Sequence, residues 1–161
     1  MSRYVGRRIV IGCVMAGVLA VLAGCEKARV AAPIRLEHVA LNVNDPAAMA
    51  DWYAENLDMV IVWKGDAPGN GRFVADAGRN VMLELYHNTD VMIPEYPLID
   101  WHVFHVAFLV DDIEAVRARL IKAGATPDTE ITTKDNGDQM MMLRDPWGVA
   151  LQFFKRAQPM L

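Results

Sequence analysis

Only two cysteines, Cys13 and Cys25, occur in the 161 residues, which excludes a disulfide framework and a multi-thiolate metal site. A basic excess is also missing. Sixteen Lys and Arg stand against 20 Asp and Glu, so the chain lacks the electrostatic footprint of a phosphate-backbone binder, and nucleic acid is not expected as a partner. Aromatic residues make up only 8%, and there is a single long uncharged apolar run, Ile9 to Gly24. What is present is a chain 53% hydrophobic and 22% charged, too apolar to remain disordered. Its length suits one ordinary domain, or two half-size modules sharing a core.

The apolar run follows Arg3, Arg7 and Arg8 and spans sixteen residues, short for a bilayer-crossing helix. Its end, Leu22-Ala23-Gly24-Cys25, resembles the lipobox of bacterial lipoproteins. That resemblance implies cleavage before Cys25, a diacylglyceryl group on its sulfur and an acyl chain on its new amino group. A plain signal anchor with a chance cysteine is the other reading. On the lipoprotein reading, residues 1–24 are a signal peptide and 25–33 a tether, and the mature chain carries 13 basic and 20 acidic side chains, a net −7. Such a module is acidic, membrane-attached through its lipid and located at the periplasmic face of the cell envelope. Glu26, where Asp often marks retention at the inner membrane, favours the outer membrane. Cys13 leaves with the signal and Cys25 is alkylated, so the folded part has no thiol nucleophile.

Sliding the sequence by 67 positions sets His38-Val39-Ala40-Leu41-Asn42-Val43-Asn44-Asp45 on His105-Val106-Ala107-Phe108-Leu109-Val110-Asp111-Asp112, with five of eight positions identical. A shift of 68 sets Val81 to Tyr86 on Val149 to Phe154. One unit therefore occurs twice. Each begins with a strand-like stretch, Leu36 to Val43 and Val103 to Val110, and continues into a helix. Asp45 caps the first helix with Pro46 at its opening position, and Met49, Trp52, Tyr53 and Leu57 fall on one face. Asp112 caps the second, with Ile113, Val116 and Leu120 in phase and Gly124 as the terminating residue. Three strands follow in each unit: Met59 to Trp63, Gly71 to Ala75 and Asn80 to Tyr86, then Thr129 to Lys134, Gln139 to Leu143 and Val149 to Phe154. Asp135-Asn136-Gly137 is a hairpin turn. The expected fold is α+β, two βαβββ modules forming a cup-shaped mixed sheet with helices on the outer face. The domain covers 34–156, as module 1 (34–87), connector (88–101) and module 2 (102–156).

Alternation then sorts the polar residues. Val39, Leu41 and Val43 can face the helix while His38, Ala40 and Asn42 face away, and the second unit repeats this with His105, Ala107 and Leu109. Glu84 and Gln152 on the final strands fall on the same side as the two histidines. Alanines at 40, 107 and 150 leave room beside them. Two imidazoles, a carboxylate and an amide at repeat-related positions can share one metal ion.

These residues, with Trp52-Tyr53 on the first helix, the strand Val81-Met82-Leu83-Glu84-Leu85, the stretch Phe104-His105-Val106-Ala107-Phe108-Leu109-Val110-Asp111-Asp112, and Arg144-Asp145-Pro146-Trp147-Gly148, resemble the vicinal oxygen chelate superfamily over residues 34–156. That superfamily includes glyoxalase I, extradiol dioxygenases and bleomycin-binding proteins. The resemblance implies His38, Glu84, His105 and Gln152 as ligands of a divalent Zn, Mn, Fe, Co or Ni ion, with Glu84 as the available catalytic base. It departs at Gln152, where glyoxalase I usually has a glutamate. An amide oxygen coordinates but takes no proton near neutral pH, so ordinary glutathione-dependent glyoxalase I is disfavoured.

Alternatives stay beside this reading. A lone strand histidine is more often structural than a ligand, and His87 and His102 fall off the ligand face and are read that way. Met140, Met141 and Met142 read as strand filling. Trp63, Tyr86, Trp101, Trp147 and Phe154 either line a pocket for a flat ligand or pack as core and rim. The function expected first is a metal-dependent lyase, isomerase or dioxygenase acting on a small molecule with adjacent oxygens. The other readings are a non-catalytic binding or sequestering module of the bleomycin-resistance type and a lipoprotein with a structural role. The connector is long enough for the cup to form within one chain or by exchange in a homodimer, and the sequence reading favours the dimer.

Overall fold

The computed structural model describes residues 33–160. The signal peptide, Cys25 and the tether up to residue 32 lie outside the described residues. The first module runs β1 (His38–Asn42), α1 (Pro46–Asn56), β2 (Val60–Lys64), β3 (Arg72–Ala75) and β4 (Met82–Tyr86). The second runs β5 (Val106–Leu109), α2 (Ile113–Lys122), β6 (Thr126–Pro127), β7 (Thr132–Thr133), β8 (Gln139–Arg144) and β9 (Ala150–Lys155).

Both helices begin where the sequence places them. Asp45 accepts a hydrogen bond from the Ala48 N–H at 3.0 Å and Asp112 from the Ala115 N–H at 3.0 Å, each satisfying one of the amide donors that a helix start leaves open. Pro46 occupies the first turn of α1, where its missing N–H costs nothing. Arg119 and Lys122 lie in the last turn of α2, complementing its dipole, and Gly124 follows at φ +99°, a conformation that favours glycine.

The strands form two sheets, ordered β1-β4-β3-β2 and β5-β9-β8-β6, with β7 also pairing to β8. In each, the first strand runs parallel to the last, which pairs antiparallel to the strand before it. The α+β architecture of two repeated modules is therefore present. Among the described residues no strand pairing joins the sheets, and β1 and β5 each stand at an edge. Met49, Tyr53, Leu41, Leu85 and Val74 are buried in the first module and Ile113, Leu120, Leu151 and Phe153 in the second, so each helix covers one sheet face.

Three segments differ from expectation. The second strand of module 2 is not one stretch from Thr129 to Lys134 but two short pieces, β6 and β7. Between them the Asp128 and Thr129 N–H groups both bond to the Met142 carbonyl, and Thr129 Oγ1 accepts from the Met142 N–H, so two residues oppose one and the ladder breaks. The strand expected from Val103 starts at Val106, because Asp100 turns the chain by accepting the His102 N–H on its side chain and the Val103 N–H on its carbonyl. The strand expected from Leu36 starts at His38, with Leu36 69% exposed.

The modules meet through α1 and the turn from β8 to β9. Tyr53 donates to Asp145 at 2.8 Å, Trp52 Nε1 donates to the Ala123 carbonyl at 2.8 Å, and Trp52 packs edge-on against Trp147 at 6.4 Å. Arg144 secures the connector. Its guanidinium donates to the carbonyls of Tyr96, Ile99 and Gly148 and pairs with Asp128 at 3.0 Å.

Candidate functional site

Register places His38, Glu84 and Gln152 on the sheet faces opposite the helices. In the first sheet, Ala40 sits beside Glu84, Glu84 beside Phe73, and Phe73 beside Trp63. Partners in a row share a face, so Glu84 stands between an alanine and a phenyl ring on the open side. The second sheet repeats the arrangement, with Ala107 beside Gln152 and Gln152 beside Met142. The small residue next to each polar one, visible in the repeat, is thus its direct cross-strand neighbour.

His38 and Glu84 are brought together. His38 Nε2 lies 3.5 Å from Glu84 Oε2, both side chains are about one-third exposed (33% and 32%), and the imidazole stands edge-on to Phe73 at 5.3 Å. His38 Nδ1 is held by Glu37 Oε2 at 2.9 Å. A carboxylate only accepts, so Nδ1 carries a hydrogen, and in the neutral form of the ring the lone pair is on Nε2. Two acceptors then face each other, and a proton or a cation between them is what satisfies the pair.

His105 is held in the same way. Its Nδ1 donates to the Trp101 carbonyl at 2.8 Å, again leaving Nε2 as the unsaturated nitrogen. It lies one residue ahead of β5 and is half-buried. Gln152 is 8% exposed, and its amide makes no hydrogen bond to any other described residue. His105 does not join His38 and Glu84: among the described residues no three His, Cys, Asp or Glu side chains gather as a metal site. His38 and Glu84 thus lie together on one sheet, Gln152 lies on the other, and His105 leads into the first strand of that second sheet. Their donor chemistry, imidazole nitrogen and oxygen, suits a divalent ion.

The other histidines behave as structural groups. His87 Nδ1 bonds to the Val43 carbonyl at 2.8 Å, and His102 stacks on Trp101 at 3.5 Å while pairing with Asp100 at 2.7 Å. Met141 and Met142 are buried, in keeping with strand filling. Of the aromatic residues, Trp63 is 53% exposed on the open face and stands edge-on to Phe73, whereas Trp147 packs against Trp52. A depression of about 300 Å³ is lined by Arg35, Glu37, Val62, Arg79 and Met82, of which Glu37 precedes His38 in the chain and Met82 is its cross-strand neighbour. The larger cavity, about 530 Å³, lies instead between the end of β1 and the connector, away from all four donors.

Sequence reasoning missed Asp145. It is 3% exposed, accepts from Tyr53 and from the Trp147 and Val149 N–H groups, and burial pushes its carboxyl up to about 6 against those donors. Burial, and then Asp145 itself, pushes the Tyr53 hydroxyl well above its ordinary value. The motif Arg144-Asp145-Pro146-Trp147-Gly148 was visible, but its use as a module joint was not.

The profile of the Glyoxalase/Bleomycin resistance protein/Dioxygenase superfamily matches residues 35–153. None of the curated proteins matches the chain in sequence. Among solved structures, SMU.1112c is 27% identical with a TM-score of 0.60, covering 76% of this chain and 98% of its own. A glyoxalase family protein from Enterococcus faecalis is 25% identical with a TM-score of 0.57, covering 75% and 97%. TnmS3, an antibiotic binding protein from Streptomyces sp. CB03234, is 21% identical with a TM-score of 0.60, covering 78% and 98%.

Proposed function

Because the chain belongs to the Glyoxalase/Bleomycin resistance protein/Dioxygenase superfamily, we propose that it is a divalent-metal-dependent lyase, isomerase or dioxygenase acting on a small molecule with adjacent oxygens. The observation that supports this reading most is the matched presentation of His38 and His105, each held through Nδ1 with Nε2 left unsaturated, one beside Glu84 and the other in the module that carries Gln152. The ion, when bound, would act as a Lewis acid toward the paired oxygens of the ligand. With two His, one Glu and one Gln around it, only one of its two charges is offset. Glu84 is the carboxylate able to take a proton there, since Gln152 is not.

His38 and Glu84 belong to one sheet and Gln152 to the other, with β1 and β5 as edge strands, so the reading includes a homodimer in which each site draws His38 and Glu84 from one copy and His105 and Gln152 from the other. It also includes export and a lipid anchor at Cys25, for which the sequence motif is the support. A second reading, sequestration of a small molecule without chemistry, is favoured by the exposed Trp63 and Leu109 on the open faces and by the likeness in fold to an antibiotic binding protein.

Metal titration of the purified full-length protein tests the first reading. His38→Ala and His105→Ala should each lower metal affinity at least about ten-fold. An equal mixture of these two variants, unfolded and refolded together, should recover about a quarter of wild-type sites, since half of the dimers are mixed and each has one intact site. Wild-type metal content in both variants would overturn the metal site, and loss without recovery in the mixture would overturn the shared one.

A further inference from the structure

We propose that the open face of the second sheet carries an anion-binding subsite centred on Arg156, which takes the carboxylate or phosphoryl group of a ligand whose flat apolar part lies against Phe154 and Leu109. This rests on the reading of the open faces as ligand-binding surfaces and specifies the class of ligand.

Phe154 pairs with Leu109 in register and lies two residues beyond Gln152, so it shares the open face with that amide at a strand spacing of about 7 Å. The Arg156 guanidinium lies over the Phe154 ring, 3.9 Å from its centroid. One edge of the guanidinium is anchored by Asp138 at 2.7 Å. Asp138 is fixed in turn, accepting the Ala157 N–H at 2.9 Å and the Asn136 amide at 3.1 Å, and these donors with Arg156 hold its carboxyl below the usual range. A planar cation stacked on a ring and tied along one edge is pre-organised, and its remaining N–H groups have no acceptor among the described residues.

Lys134 adds a second cation. Its Nζ is 5.1 Å from the same ring centroid, and it has no carboxylate partner among the described residues. Two cations against one carboxylate leave a positive spot on a chain whose overall balance is negative. Asp111 and Lys155, one of each sign, line one of the same depressions, and Asp135 follows Lys134 in the chain at an exposed position. Three shallow depressions of about 190, 210 and 250 Å³ converge here, and Arg156 and Leu109 line all three. Leu109 is 70% exposed beside the guanidinium. Had Arg156 served only to neutralise Asp138, nothing would require it to lie across the aromatic ring that faces the ligand side. A fork-shaped donor beside exposed apolar surface is instead suited to a carboxylate or phosphoryl group joined to a flat apolar body.

The test titrates the isotope-labelled full-length protein with benzoate, phenylphosphonate and neutral benzamide in the presence of a chelator, following the Arg156 side-chain N–H and the Leu109 and Phe154 amides by NMR. Both anions should bind at least ten-fold more tightly than benzamide, and added salt should narrow the difference. Lys134→Gln, at an exposed position, should weaken benzoate two- to five-fold. Arg156→Lys keeps a cation for Asp138 while removing the fork, and should weaken it at least five-fold with little change in thermal unfolding. Equal binding of benzamide and benzoate, or benzoate binding unchanged in both variants, would overturn the proposal. Because the chelator removes metal from the measurement, failure of the metal site and failure of this subsite give different results.

Discussion

Tyr53 on α1 donates its hydroxyl hydrogen to Asp145 at 2.8 Å, joining groups 92 residues apart across the boundary between the modules. Both are buried, and the bond connects the helix of one module to the turn that opens the last strand of the other. Tyr53→Phe removes one of the donors that offset the burial of the carboxylate. It should destabilise the protein by about 1–3 kcal/mol in urea unfolding and raise the Asp145 titration midpoint further. An unchanged unfolding midpoint would show that the bond contributes nothing net.

Asp145 also sets a pH dependence. Its folded-state value of about 6 lies above the ordinary 3.8, so between these values the folded chain binds more protons than the unfolded one. The associated stability is fully present below the ordinary value and is lost as pH rises through about 6, with an upper magnitude of about 3 kcal/mol. Asp145→Asn should remove this slope. Calorimetry of wild type and variant from pH 4 to 7 checks it, and parallel curves would contradict the assignment. Asp76 and Asp138, whose carboxyls are held low first by the backbone N–H groups of Val81 and Ala157, act in the opposite sense and lose their contribution as pH falls below the ordinary range.

Gln152→Glu is expected to tighten divalent-metal binding, since it adds a carboxylate where the proposed site retains positive charge. The same change should lower the Lewis acidity of the bound ion and raise activity on a glutathione hemithioacetal if that substrate enters the pocket. Metal titration and a hemithioacetal assay read the two effects separately. Weaker binding in the variant would place Gln152 outside the coordination sphere.

Gly148 has φ +87°, and a Cβ there would meet the ring of Pro97 in the connector. Gly148→Ala is therefore expected to cost more than about 1 kcal/mol and to displace the connector that Arg144 secures. Since Trp101 in that segment holds His105 Nδ1, the variant should also change the His105 ring nitrogen resonances. A destabilised variant with unchanged His105 resonances would uncouple connector and imidazole.

Cys25→Ser should abolish incorporation of labelled fatty acid and block signal cleavage. Equal labelling of wild type and variant would end the lipoprotein reading.

The repeat, both caps and the open-face side of His38, Glu84 and Gln152 were legible because each rests on local spacing: alternation within a strand, or Asp three residues before an unpaired amide. The break at Thr129 was not, because it depends on which residue of the neighbouring strand supplies the acceptor. Asp145 and Arg156 were missed for a related reason. A polar residue at the end of a strand looks solvated until its partner, Tyr53 or Asp138, is brought from a distant part of the chain. Alternation also says nothing of whether two sheets meet, so the division of His38 and Glu84 from Gln152 onto different sheets appears only in three dimensions.

That division bears on how such a protein changes over generations. Among the described residues no backbone ladder crosses from one sheet to the other, so a register shift or insertion in one module does not propagate strand by strand into its twin. Each half can therefore accept single substitutions on its own helix-free face, as the contrast between Glu84 and Gln152 illustrates. Tyr53 and Asp145 meanwhile tie two divergent halves into one inherited unit.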